Sequence, residues 1–215
     1  MHIFFDLDGT LTDSSPGIIR CINHAVVELG YTEFPAERLQ PLIGAPLARI
    51  FAAVLSTEDV SVLDRAVAAY RVRFNEVGIF ENALYEGVAE ALDRLCRAGH
   101  LLQVVTAKPA AAARRVVQHF GIEQRFVAVR GPELSARACD KADLVRAALH
   151  LADSSAHESV MVGDRAADIH AAHQHGVPAV AALWGYGSHA ELMAAAPAFA
   201  AHHIGDVVNW VERVA

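Results

Sequence analysis

A chain of 215 residues has room for one large domain or a core with an inserted unit, and 53% apolar residues supply a substantial interior, which excludes a disordered or fibrous protein. A formal charge of -7 excludes the broad basic face that a nucleic-acid polymer needs, although a local site for a small anion can oppose the global sign. No apolar run approaches the roughly 18 residues that span a bilayer, and no leader-like segment opens the chain, so the expectation is a cytoplasmic protein with no membrane partner, a monomer or homodimer.

Along the chain, short apolar runs recur at 2–5 (HIFF), 101–105 (LLQVV), 126–129 (FVAV), 159–163 (SVMVG) and 178–184 (PAVAALW). Their length and their Val, Ile and Phe content predict strands buried on both faces. Helical spacing fills the intervals in GVAEALDRLCRAG, AAAARRVVQHFG, KADLVRAALHLA and AADIHAAHQHG, and several of these end in the glycine that commonly closes a helix. The alternation predicts an α/β fold, a Rossmann-like parallel sheet with helices on both faces. Residues 15–83 break the rhythm with helix-like spacing alone and read as a helical insertion after the first strand. The expected division is therefore a core of 1–14 and 84–215 and an inserted unit of 15–83. The Ala-rich stretch 193–201 is biased toward helix. Cys21, Cys96 and Cys139 are too widely spaced for a disulfide framework or a zinc pattern and read as packing residues.

In open parallel sheets, ligands bind beyond the carboxyl ends of the strands. Just past the first strand stand Asp6, Asp8, Gly9 and Thr10; past LLQVV, Thr106, Ala107 and Lys108; past SVMVG, Asp164, with Asp168 one turn on; Lys141 opens the preceding helix. Several aspartates gathered together need a cation, and an all-oxygen site suits Mg²⁺, so Asp6, Asp8, Asp164 and Asp168 are candidate metal residues. A phosphate ester entering there would find an ammonium and backbone N–H groups for its oxygens. An aspartate can then attack phosphorus while a second carboxylate two residues away handles the proton, the relation that Asp6 and Asp8 have. Only Lys108 and Lys141 of the 18 basic residues are lysines, and both fall in these segments.

The segments DLDGTLTDS, VVTAK, DKADL and VGDRAAD, in this order, resemble the motifs of the haloacid dehalogenase superfamily of phosphohydrolases, and the whole pattern is similar to its phosphoglycolate-phosphatase-like branch. The resemblance implies a Mg²⁺-dependent phosphatase acting on a small phosphorylated metabolite, phosphoglycolate first, through an aspartyl-phosphate. It implies Asp6 as nucleophile, Asp8 as general acid and base, Thr106 as donor to the phosphoryl group and Lys141 as the cation beside both. Gly9, Thr10, Ala107 and Lys108 would line the phosphoryl site, Asp164 and Asp168 the metal, and residues 15–83 would form a small cap, with Arg49 placed toward the substrate. Ala107 stands where Ser or Asn is common, and Lys141 is followed by Ala142 rather than Pro, which leaves Lys108 as a rival for the lysine role. A nucleoside 5'-monophosphatase and a sugar phosphomutase of the same superfamily are the alternatives. A Schiff-base phosphonate hydrolase is excluded by the lack of any lysine in residues 15–83.

Each residue also has a plainer reading. Asp6 and Asp8 can cap a turn, Thr106 can bond locally, Lys141 can follow Asp140 as helix N-cap, and Asp164 and Asp168 can serve a helix start. Arg49 can be an ordinary surface arginine. LWGYGS at 183–188 can be a plain turn, with a minor supporting part open to it by its position at the same sheet end. The histidines of HAAHQH at 170–175 and HH at 202–203 receive no role.

Overall fold

The computed structural model describes residues 1–133, 140–152 and 155–215, so Cys139 lies outside the described part; Cys21 and Cys96 are free thiols. The chain divides into two compact units, one of Met1–Asp13 with Leu84–Ala215 and one of Ser14–Ala83. The strands are β1 (His2–Phe5), β2 (Thr12–Asp13), β3 (Ala83–Leu84), β4 (Leu101–Val105), β5 (Phe126–Arg130), β6 (Ser159–Gly163), β7 (Ala179–Ala182) and β8 (Phe199–Ala201). β2 and β3 make a two-stranded ribbon; the other six form a parallel sheet in the order β5-β4-β1-β6-β7-β8.

This order places the site. From β1 the chain runs outward through β4 and β5, then returns to the other flank of β1 for β6, β7 and β8, so neighbouring loops diverge at the carboxyl end of β1 and open a crevice there. The register makes the consequence specific. Phe5 pairs with Val104 on one side and Val162 on the other, and Asp6 N extends the ladder to Val162 O at 2.9 Å. One or two steps further along each strand stand Asp6, Thr106 and Asp164.

Ile3, Phe4 and Phe5 of β1 are all fully buried, which requires cover on both sheet faces. Helices α5 (Val88–Arg97), α6 (Ala110–His119), α7 (Lys141–Ala152), α8 (Ala166–His173), α9 (His189–Ala194) and α10 (Ile204–Val214) supply it. Phe4 belongs to a core that includes Val145 of α7, Ile169 of α8, Met161 and Leu192. Helix α5 instead buries Val88, Ala91, Leu92 and Leu95, a spacing of three and four residues that lines one side of the helix.

Residues 193–201 depart from the helical expectation. Helix α9 stops at Ala194, Ala196 adopts a left-handed φ of 55°, and Pro197 follows. The proline disfavours a helical residue before it. Ala198 N then donates to Ala179 O at 2.8 Å, and Phe199 stacks on Trp210 with ring centroids 6.2 Å apart, so pairing to β7 overrides alanine's helix preference.

The second unit comprises α1 (Ser15–Glu28), α2 (Ala36–Leu39), α3 (Leu47–Leu55) and α4 (Val60–Glu76). Tyr70 of α4 stacks on Phe74 at 5.4 Å and meets Phe51 of α3 edge-on at 6.3 Å. Gly17 of α1 passes so close to Gly78 that a Cβ on it would lie 2.2 Å from the Gly78 carbonyl oxygen. Glu81 accepts from Arg73 at 2.7 and 3.0 Å and from Arg20 at 2.9 Å, which pulls its carboxyl below the usual range, mainly through Arg73. No helix among the described residues is long and apolar enough to cross a membrane.

Leu92 is fully buried on α5, so Leu92→Ala should lower the unfolding free energy by about 2–5 kcal/mol. A lower urea midpoint at unchanged slope would show it; a midpoint equal to that of the parent would contradict this account of how α5 is held.

Candidate active site

The turn after β1 is wound around one carbonyl: Leu7 O accepts from Leu11 N at 2.9 Å, Thr12 N at 3.0 Å and Thr10 N at 3.3 Å. Gly9 holds a φ of 87° there, and a Cβ on it would fall 2.2 Å from Asp164 Oδ2, so only glycine lets this turn approach the loop after β6. Thr10 Oγ1 donates to Asp164 Oδ1 at 3.1 Å.

Asp6, Asp164 and Asp168 are buried, and one oxygen from each lies within 4.8 Å of the others. Lys141 Nζ reaches Asp6 Oδ2 at 2.9 Å and also contacts Asp168 Oδ1. Asp168 Oδ2 accepts from Arg165 N at 2.9 Å, so Asp168 serves the start of α8, its plainer reading, while facing the cluster. Lys141 likewise satisfies both readings: Asp140 Oδ1 accepts from Ala142 N at 2.9 Å and starts α7, whose first residue then sends its ammonium to Asp6.

Burial pushes the Asp6 carboxyl up to about 6, against the pull of Lys141 and, more weakly, the Thr106 hydroxyl, with Asp168 adding to the rise. Asp164 is pushed up to about 8 by burial first and then by the charges of Asp168 and Asp6. Burial works to lower the Lys141 ammonium, but Asp168 and Asp6 together hold it above its ordinary value. Three carboxylates against one ammonium leave two negative charges uncompensated, and Asp6 Oδ1 is buried with no hydrogen-bond partner. That orphaned oxygen, the oxygen-only donors and the missing charge fit a hard divalent cation held by Asp6, Asp164 and Asp168.

Asp8 stands apart from this cluster. Lys108 Nζ donates to both its oxygens, at 2.9 and 2.8 Å, and the Lys108 main-chain N–H donates to Thr106 Oγ1 at 3.2 Å. Each lysine of the chain thus faces a different aspartate of the first turn. Ala107 is exposed between Thr106 and Lys108. Arg49 belongs to the other unit, exposed on α3. His170, His173, His202 and His203 are exposed, and His175 pairs its Nε2 with Ala142 O at 2.8 Å; among the described residues no histidine joins a candidate metal cluster.

Reading from sequence underweighted the segment after β7. Tyr186 N donates to Asp164 Oδ2 at 2.8 Å, and Trp184 Nε1 donates to Thr10 O at 3.0 Å. The advance signals were the position of these residues at the same end of the sheet and the glycines Gly185 and Gly187.

Residues 3–182 match the family described as haloacid dehalogenase-like hydrolase. The chain belongs to that family. Within it, the chain is 37% identical over 209 residues to a 5'-nucleotidase of Pseudomonas aeruginosa, covering 96% of this chain and 91% of the relative. It is 32% identical over 185 residues to a phosphoglycolate phosphatase of Xanthomonas campestris, covering 86% and 83% of the two chains. The structure of a haloacid dehalogenase-like hydrolase from Streptococcus pneumoniae superposes with a TM-score of 0.90 at 29% identity, over 98% of this chain and 97% of the other.

The raised Asp164 carboxyl has a measurable sign. Its proton is held more tightly in the fold than in the unfolded chain, so ionisation costs stability between about pH 4 and about pH 8. In chelator, Asp164→Asn should gain stability relative to the parent as pH rises from 5 to 8. Thermal melts at the two pH values test this; a difference that stays constant would contradict the assignment.

Proposed function

We propose that this phosphoric monoester hydrolase uses Asp6 as its nucleophile with Mg²⁺ as the cation. The observation that carries the reading is the state of the Asp6 carboxylate: one oxygen is steadied by Lys141 at 2.9 Å and the other is buried without a partner, beside Asp164. Bound by Asp6 and Asp164 and supported by Asp168, the cation would supply the positive charge that lets an anionic nucleophile meet an anionic ester. An Asp6 oxygen attacks phosphorus, the bond to the ester oxygen breaks, and an aspartyl-phosphate forms. Asp8 gives its proton to the departing oxygen, then takes one from the water that attacks the same phosphorus; the bond between phosphorus and the Asp6 oxygen breaks and inorganic phosphate leaves. Thr106 and the Ala107 main-chain N–H are assigned the role of donors to the phosphoryl oxygens. Lys141, touching Asp6, takes the part of the cation shared by nucleophile and phosphoryl group; Lys108, paired with Asp8, orients the acid. The helical unit, with Arg49 exposed on α3, is assigned selection of the leaving group.

The phosphoryl chemistry is common to all substrates, so specificity rests on other grounds. The match to a 5'-nucleotidase is both higher in identity and fuller in coverage than that to a phosphoglycolate phosphatase, which puts a nucleoside 5'-monophosphate ahead of phosphoglycolate as substrate.

Phosphate release from nucleoside 5'-monophosphates, phosphoglycolate, sugar phosphates and an aryl phosphate, each with Mg²⁺ and with chelator, tests both parts. Metal-dependent release with the nucleotides fastest is expected, and Asp6→Asn should lower turnover at least about a thousandfold while the protein stays folded. Near-parental activity in that variant would overturn the mechanism, and preferential release from phosphoglycolate would reverse the substrate order.

A further inference from the structure

Each oxygen of the Asp164 carboxylate takes a donor from a different loop. Oδ1 accepts from Thr10 Oγ1, on the turn after β1, at 3.1 Å, and Oδ2 accepts from Tyr186 N, on the loop after β7, at 2.8 Å. Two donors from opposite sides fix the plane of the carboxylate and leave its remaining lone pairs in a set direction. The loop after β7 is pressed against Asp164 as tightly as a backbone can be. A Cβ on Gly185 would lie 2.2 Å from Asp164 Cβ and 2.3 Å from Gly9 O, and one on Gly187 would lie 2.0 Å from Asp164 O. Between the two glycines' approach and the Thr10 turn runs one further bond: Trp184 Nε1 donates to Thr10 O at 3.0 Å, with the indole set edge-on to Tyr85 at 6.5 Å.

The loops after β1, β6 and β7 therefore close into a circuit, from Trp184 to the Thr10 main chain, through the Thr10 hydroxyl to Asp164, and back through Tyr186 N to Trp184's own loop. We propose that Trp184 is a positioning residue for Asp164 as a metal ligand, acting through Thr10. The proposal rests on the reading of Asp164 as a ligand given above. Indole suits this role because it offers one N–H donor, no acceptor and a rigid ring whose placement is set by packing. Groups that hold ligands without touching the metal commonly change its affinity by 10–100-fold when removed.

The test is direct titration with Mn²⁺ and no substrate, following free Mn²⁺ by electron paramagnetic resonance, on the parent, Trp184→Phe, Thr10→Val and the double variant. The expected result is a Kd for Mn²⁺ raised about tenfold in each single variant. The double variant should bind no more weakly than Thr10→Val alone, because one residue acts through the other. Metal-free melting temperatures report folding separately, and in Trp184→Phe turnover at saturating Mn²⁺ should return toward the parent value while the Mn²⁺ needed for half-maximal rate rises. If Trp184→Phe folds poorly, benzothienylalanine at position 184 keeps the ring shape without the N–H and makes the same measurement. A Kd within twofold of the parent in a folded Trp184 variant overturns the proposal, and additive effects in the double variant overturn the route through Thr10. A parent that binds no Mn²⁺ overturns the reading of Asp164 as a ligand and the positioning role with it, a result distinct from unchanged variants of a parent that does bind.

Discussion

The constraint on which the rest of this structure depends is a surplus of buried negative charge at the carboxyl end of β1. Asp6, Asp164 and Asp168 are all shielded from water, and one ammonium, that of Lys141, faces two of them. Burying ionised groups without full compensation is costly, and chains ordinarily avoid it by protonating, pairing or exposing them. Here two carboxyls hold protons more tightly than they would in water, and one oxygen is left with no partner. The sheet, fully packed around Ile3, Phe4 and Phe5, supplies the rigidity that keeps such an arrangement from relaxing. Departure from good stability practice, confined to one strand end, is what a site for a charged ligand looks like in physical terms.

Two separate lysine–aspartate pairs divide the two aspartates of the first turn by partner. Asp6 shares Lys141 with Asp168, whereas Asp8 holds Lys108 by both oxygens. Carboxylates two residues apart would otherwise compete for the same cation. Distinct partners, Lys141 at the start of α7 and Lys108 in the loop before α6, let them differ in environment although they are near neighbours in sequence. A chain that otherwise uses arginine places its compact ammonium groups at these two points, where a planar five-donor guanidinium would crowd a buried oxygen site.

Much of this was visible before any coordinates. The runs at β1, β4, β6 and β7 declare themselves because strands buried on both faces must be continuously apolar, whereas β5, at the sheet edge, is only partly covered and exposes Val127; Asp6, Thr106 and Asp164 follow from asking what stands one step past β1, β4 and β6. Three features were hidden for physical reasons. Which lysine meets which aspartate depends on the path of α7 over the sheet, which no local pattern encodes. β8 carries three residues, Phe-Ala-Ala, of which the two alanines prefer helix, and its strand state is set by pairing with β7 and by the Phe199–Trp210 stack. The loop at Trp184 touches Thr10 and Asp164, residues far away in sequence, largely through main-chain atoms, and main-chain contacts leave almost no trace in residue identity beyond the two glycines that permit them.

The central place of β1 in the sheet has a consequence for how the chain acquires its shape. Its neighbours begin at residues 101 and 159, so the segment His2–Phe5 has no strand to pair with until β4 has been synthesised, and lacks its second partner until β6 follows. Long-range parallel pairing of this kind carries a high loop-closure cost and folds slowly. Until β4 and β6 arrive, a sticky apolar tetrapeptide waits next to two aspartates, and those charges act as a solubilising gatekeeper beside it. The same acidic residues that make the carboxyl end of β1 electrostatically demanding in the folded protein protect the nascent chain from clumping while its partners are still being made.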